Sequence, residues 1–156
     1  MTPLNLLFTV FYNWWDNYGK KKYPHAKRIL ILSDCGGSNR AAGQVCKEQL
    51  VLFSLLTGLE VHVCHYPEGC SKYNPIEHRY FSAISLNWQG QPKTDLDTVN
   101  QLIDHTTTTK GLISKCHIDT SQYELGKRIF INDKFLDFNI IYDDKLGKYN
   151  YIINEN

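Results

Sequence analysis

The chain holds 156 residues, 42% of them hydrophobic and 21% charged, with a formal net charge of +1. That size suits one domain with its own core, and the mix excludes a disordered segment. A charge so near zero neither demands nor excludes a nucleic-acid partner, so any such contact must come from local patches such as Lys20, Lys21, Lys22, Lys27 and Arg28.

The N-terminal run from Leu4 to Phe11 is apolar, yet it lacks a basic leader and a small-residue cleavage site. It is also too short to span a bilayer. Within it and beyond, Leu7, Val10, Phe11, Trp14 and Tyr18 recur at three- and four-residue steps. That spacing predicts a helix with those residues inward, stopped by Gly19. A basic turn ending at Pro24 follows. Ile29 to Leu32 is an unbroken aliphatic run within Arg28 to Ser33, which predicts a central strand buried on both faces. The strand stops at Asp34, before the loop Cys35-Gly-Gly-Ser-Asn39. A second helix is predicted from about Arg40 to Thr57, with Ala42, Val45, Cys46, Gln49, Leu52, Phe53 and Leu56 inward. Gly58 closes it, and Leu59 to Cys64 reads as the next strand. Strand, helix, strand implies two parallel strands, so Asp34 and the loop His65 to Asn74 leave from the same sheet edge.

Asn74, Pro75 and Glu77 suit the N-cap, first and third positions of a third helix, with Tyr80, Ala83 and Ile84 on its apolar face. The chain then turns through Gly90 and Pro92. A further helix is predicted at about Leu96 to His105, with Val99, Leu102 and Ile103 inward. From Gly111 onward the pattern suggests short strands at Leu112 to Ile118, Lys127 to Ile131 and Tyr149 to Ile153. The five cysteines (Cys35, Cys46, Cys64, Cys70 and Cys116) are odd in number and follow no secretory leader. Reduced thiols in a soluble, cytoplasmic protein without a membrane partner are therefore expected.

Asp34 and Glu77 are the residues most suited to chemistry. Two carboxylates at one sheet edge can share divalent ions, since Mg2+ takes hard oxygen ligands and keeps several waters. The plainer alternatives stay open: Asp34 as a turn cap before Gly36 and Gly37, and Glu77 as half of a capping box with Asn74.

The segment Tyr66-Pro-Glu-Gly-Cys-Ser-Lys-Tyr-Asn-Pro-Ile-Glu-His-Arg-Tyr-Phe-Ser82 resembles the third-acid motif of insertion-sequence DDE transposases, closest to the Rhodopirellula-type family. Ile31-Leu-Ser-Asp-Cys-Gly-Gly-Ser-Asn39 is similar to that family's second-acid strand and GGSN turn. Asn87-Trp-Gln-Gly-Gln-Pro92, Thr106-Thr-Thr with Gly111-Leu112, Trp14-Trp15 and Tyr149-Asn-Tyr151 fit further signatures in the same order. The resemblance implies an α/β domain of ribonuclease-H-like type, incomplete at its N-terminus. That part would span about residues 1–110, with a small strand-rich extension over about 111–156. It also implies a DNA-cleaving and DNA-joining reaction that uses three carboxylates and two Mg2+ or Mn2+ ions. Asp34 then matches the second acid and Glu77 the third, while Lys72, His78 and Arg79 are candidates for DNA contact. Ser71 lies in the same loop.

The resemblance departs in two ways. The family's first acid sits on an early strand for which this sequence has no counterpart, and Asp16, near the end of a surface helix, is no substitute. Tyr12 and Asn13 stand where the family has basic residues, and Tyr73 where it has tryptophan. An inactive fragment is therefore expected. Its partners would be transposon-end and target DNA, the missing N-terminal part or other transposase copies, and it would associate with the nucleoid when DNA-bound.

Other readings use other residues. Cys64, His65 and Cys70 suggest a metal-thiolate site, although the spacing matches no paired-cysteine zinc pattern. Cys35 as a nucleophile lacks a nominated histidine. Gly36-Gly-Ser-Asn39, opening a helix after a strand, suggests a phosphate-binding module without DNA chemistry.

Overall fold

The computed structural model describes residues 6–34, 43–92, 94–123, 139–147 and 149–154. The chain forms two compact units, one of Met1–Cys70 with Tyr123–Asn156 and the other of Ser71–Gln122.

The first unit is mixed α/β. Helix α1 (Leu6–Trp14) runs through a π-helical turn (Trp15–Gly19) into the short α2 (Lys20–Lys22). Strand β1 (Arg28–Ser33), helix α3 (Gln44–Thr57) and strand β2 (Glu60–His65) follow, and the unit ends with β3 (Ile140–Tyr142) and β4 (Asn150–Ile153). The four strands form one sheet in the order β1-β2-β4-β3. β1 and β2 are parallel, as the strand–helix–strand pattern predicts, whereas β4 runs antiparallel to both β2 and β3.

Alternation along the strands decides which side chains meet the helices. Val61 and Val63 of β2, Tyr151 and Ile153 of β4 and Ile140 of β3 are buried together with Leu50, Val51 and Phe53 of α3 and Phe8 of α1. Each such apolar side chain contributes roughly 1.5–3 kcal/mol on leaving water. The Phe11 and Phe53 rings lie 6.0 Å apart and tie α1 to α3. Phe8 N–H, one of the first-turn amides without an intrahelical acceptor, donates to Gln49 Oε1 at 3.0 Å. Gly58 ends α3 in the left-handed region (φ 69°), its N–H donating to Ser54 carbonyl O.

Four expectations for this unit are corrected. The inner face of α1 carries Leu7, Phe8, Phe11, Tyr12 and Trp15, while Val10, Trp14 and Tyr18 are exposed. The reason is that apolar residues surround this helix, so their spacing does not single out one face. Gly19 does not stop the helix, which continues to Lys22; instead a Cβ at Gly19 would lie 2.4 Å from Trp15 Cε3, so its smallness makes room for that ring. β1 is not buried on both faces. It takes an edge of the described sheet, with Leu30 and Leu32 exposed and Ile29 and Ile31 against the core. Leu56, expected inward on α3, is also exposed.

In the second unit a 3-10 turn (Ser71–Tyr73) precedes a π-helical segment (Glu77–Phe81) that passes into α4 (Ser82–Asn87). Helix α5 (Leu96–Asp104) opens at Asp95, whose carboxylate accepts from Thr98 N–H at 2.7 Å. The strand expected at Leu112 to Ile118 reduces to a single bridge between Thr107 and Ile113. The strand expected at Lys127 to Ile131 lies outside the described residues. No helix among the described residues is long and apolar enough to cross a membrane.

Candidate functional site

Asp34 directly follows β1 in the first unit and is half-buried. Its position is fixed by the sheet. Tyr66 N–H donates to Ser33 carbonyl O at 2.8 Å, and Ser33 Oγ–H donates to Asp34 carbonyl O at 3.2 Å. A recess of about 180 Å³ opens beside this strand end, lined by Leu7, Phe11, Leu32, Ser33, Cys46 and His65 among others. Burial raises the Cys46 thiol above its ordinary range, so this cysteine serves the core as a neutral side chain.

His65, read from sequence as the start of the next loop, is instead the last residue of β2, pairs with Ser33 across the sheet and is buried. Its Nδ1 lies 2.9 Å from Tyr149 carbonyl O. A carbonyl only accepts, so Nδ1 carries the hydrogen of this bond. The signal was present as the inward-facing end of an alternating strand, but its partner is 84 positions away. The same alternation corrects the metal-thiolate reading: adjacent strand residues point to opposite faces, so Cys64 and His65 do not converge. Among the described residues no group of three His, Cys, Asp or Glu is placed to hold a metal ion.

Glu77 lies in the second unit, together with Lys72, His78 and Arg79. It is the first residue of the π-helical segment, and single π turns within helices are frequent at functional sites. Asn74 starts this helix as predicted, but its side-chain oxygen accepts from Ile76 N–H at 3.3 Å, while Glu77 N–H donates to Asn74 carbonyl O at 3.2 Å. The Glu77 carboxylate itself is exposed and makes no hydrogen bond or ion pair among the described residues. The capping-box alternative for Glu77 is therefore not what the geometry shows. Arg79 is likewise exposed and unpaired among the described residues.

The flanking residues are held more firmly. His78 Nε2 donates to Lys72 carbonyl O at 2.6 Å, which closes the loop back on the helix. The Lys72 ammonium sits 5.0 Å from the centre of the Tyr73 ring, a cation–π contact. Tyr80 OH and Ser114 Oγ are 2.7 Å apart, which ties the π segment to the chain beyond α5.

Two further sequence signatures, Asn87 to Pro92 and Thr106 to Leu112, are joined in one set of hydrogen bonds. Asn87 Nδ2 donates to Leu102 carbonyl O at 2.6 Å and to Thr106 Oγ1 at 3.3 Å. Thr106, fully buried, donates to Leu102 carbonyl O at 2.8 Å and accepts Ser114 N–H on its own carbonyl at 3.3 Å. Thr108 Oγ1 accepts from Leu112 N–H at 3.2 Å, and Gly111 turns the chain between them at φ 88°. Short motifs that look unrelated in sequence thus hold Ser114 in place for Tyr80, three residues from Glu77. Sequence reasoning placed Tyr80 on the apolar face of its helix but missed its bond with Ser114, because the pairing spans 34 positions.

The model of the family described as Rhodopirellula transposase DDE domain matches residues 5–155. No curated protein and no solved structure gives a match.

Proposed function

Because the chain belongs to the Rhodopirellula transposase DDE domain family, we propose that Asp34 and Glu77 are two of the carboxylates that hold divalent metal for cleavage and joining of DNA strands. The observation that carries this reading is the Glu77 carboxylate, exposed and unpaired among the described residues at the start of a π-helical segment. A glutamate serving only to cap its helix would be engaged by the backbone. The donor chemistry also fits: both residues offer hard carboxylate oxygens, which suit Mg2+ or Mn2+. When bound, the ions would activate a water or a 3′-hydroxyl and steady the leaving oxygen.

The residues of the chain itself have separable tasks in this reading. Arg79 offers a planar, unpaired guanidinium two positions from Glu77, suited to bidentate contact with phosphate. Lys72, steadied over Tyr73, offers a point charge. His78 acts as a positioning residue, since its Nε2–H is committed to the Lys72 carbonyl. The domain is proposed to be of ribonuclease-H-like type, with β1 and β2 as its parallel strands. Asp34 and Glu77 are proposed as two acids of a three-acid site, and residues 1–156 by themselves are proposed to be inactive without the third.

Calorimetric titration of Mn2+ tests the metal reading. Binding to the native chain, weakened in both Asp34→Asn and Glu77→Gln, is the expected result. Unchanged binding in both variants sinks it and returns the anion-binding alternative. Nicking of supercoiled DNA by the isolated chain in Mg2+ or Mn2+, lost in Glu77→Gln, would overturn the proposed inactivity.

A further inference from the structure

The end of the first helix carries a charged feature that the proposed metal site does not use. Five of the chain's 17 lysine and arginine residues fall between Lys20 and Arg28, with no acid among those nine positions, although the formal net charge of the whole is only +1. All five are exposed. Lys20 pairs with Asp16, and the Arg28 guanidinium lies 3.7 Å from the Glu60 carboxylate. The side chains of Lys21, Lys22 and Lys27 make no ion pair or hydrogen bond among the described residues. Like charges gathered without counter-charges raise the free energy of the fold, and a bound polyanion removes that penalty.

A second, independent observation points to the kind of anion. Trp14, Tyr18 and Tyr23 are exposed large rings in the same stretch. Four-residue steps place Trp14, Tyr18 and Lys22 along one side of the helix. Cations for phosphates interleaved with open rings for bases is the arrangement that single strands require. An acidic polypeptide would use the cations and leave the rings idle.

We propose that Lys21, Lys22 and Lys27, with Tyr18 and Tyr23, form a contact surface for single-stranded DNA at the opposite end of β1 from Asp34. The six residues of β1 separate the two by roughly 20 Å. The inference rests on the reading that this chain handles DNA, but not on the metal ligands.

The experiment is fluorescence anisotropy of a labelled single strand of mixed sequence, in EDTA, with salt varied between about 50 and about 200 mM. EDTA makes the outcome independent of Asp34 and Glu77. Three lost phosphate contacts lower the slope of log K against log salt by about 2 in Lys21→Gln/Lys22→Gln/Lys27→Gln. The control Lys110→Gln/Lys115→Gln/Lys145→Gln removes the same charge elsewhere and is expected to keep the native slope. Tyr18→Ala/Tyr23→Ala is expected to weaken single-strand binding about tenfold for each base unstacked and to leave duplex binding nearly unchanged. Circular dichroism melts confirm that the exposed substitutions leave the fold intact. The proposal fails if the native chain does not bind at the lowest salt, or if both lysine triples change the slope equally. It fails too if polyglutamate binds as tightly as the strand. A slope lost in the first triple alone, alongside Mn2+ binding unchanged in Asp34→Asn and Glu77→Gln, would uphold this surface and sink the metal reading.

Discussion

Replacing Thr106 by valine tests whether the threonine tract works through its hydroxyl or through its bulk. Valine keeps the shape of a side chain that is fully buried. What disappears is the O–H donated to Leu102 carbonyl O at 2.8 Å and the acceptor for Asn87 Nδ2 at 3.3 Å. Neither partner is stranded, because Asn87 Nδ2 still donates to the same Leu102 carbonyl at 2.6 Å. The loss is then that of an ordinary hydrogen bond, about 1 kcal/mol, well short of the roughly 3 kcal/mol that an orphaned buried group can cost. Thr106→Ala removes a methyl as well and is expected to cost about 2 kcal/mol in all. Urea unfolding, together with amide exchange of Ser114 N–H, reads both variants on the second unit. Thr106→Val indistinguishable from native, with Thr106→Ala strongly destabilised, would refute the hydroxyl argument and leave packing as the tract's role.

Gly19→Ala should gain about 1 kcal/mol of helix propensity, since Gly19 has an ordinary helical φ of −60°, but lose more to overpacking of about 1–3 kcal/mol against Trp15. A lowered melting temperature is expected; a raised one would mean that the Trp15 ring moves aside freely. The Asp95 carboxyl is held below its ordinary value, first by Thr98 N–H and then by the Thr94 and Thr98 hydroxyls, and Asp104 is lowered chiefly by Cys116 N–H. A depressed folded value stabilises the ionised form. Its contribution is present above the unfolded value of 3.8 and is lost as pH falls through the folded values. Melting temperature against pH should therefore drop on the acid side in the native chain and drop less steeply in Asp95→Ala. Identical acid limbs would show that this cap does not drive the dependence.

What could be read from sequence was what local pattern decides. Arg28 to Ser33 was found to the residue because an aliphatic run bounded by turn residues has few alternatives. Asp95 was missed as a cap, although Asp at the start of an amphipathic stretch is a known signal. The face of α1 was misread because apolar residues at 6, 7, 8, 10, 11, 14 and 15 satisfy several helical phases, and packing against Gln49 and Phe53 chose among them. Asn74 was legible as a helix start, but the π-helical turn that begins at Glu77 was not. Such a turn has no residue signature and depends on where its neighbours anchor. Tyr80 with Ser114, Asn87 with Thr106 and His65 with Tyr149 are unions of distant positions, and one sequence does not display them.

The placement of β4 also bears on how the chain reaches this fold. β4 lies between β2 and β3, so β2 and its neighbour in the sheet are joined only after the chain has made an excursion from His65 to Asn150. The whole of Ser71–Gln122 lies inside that excursion. Closing so long a loop is entropically slow to nucleate, yet each doubling of its length adds only about 0.6 kcal/mol. The excursion is thus free to vary in length at small thermodynamic expense, while assembly of the first unit waits on a late-arriving strand. Until that strand docks, the β2 edge stands open as a second place where a nascent copy can pair with another.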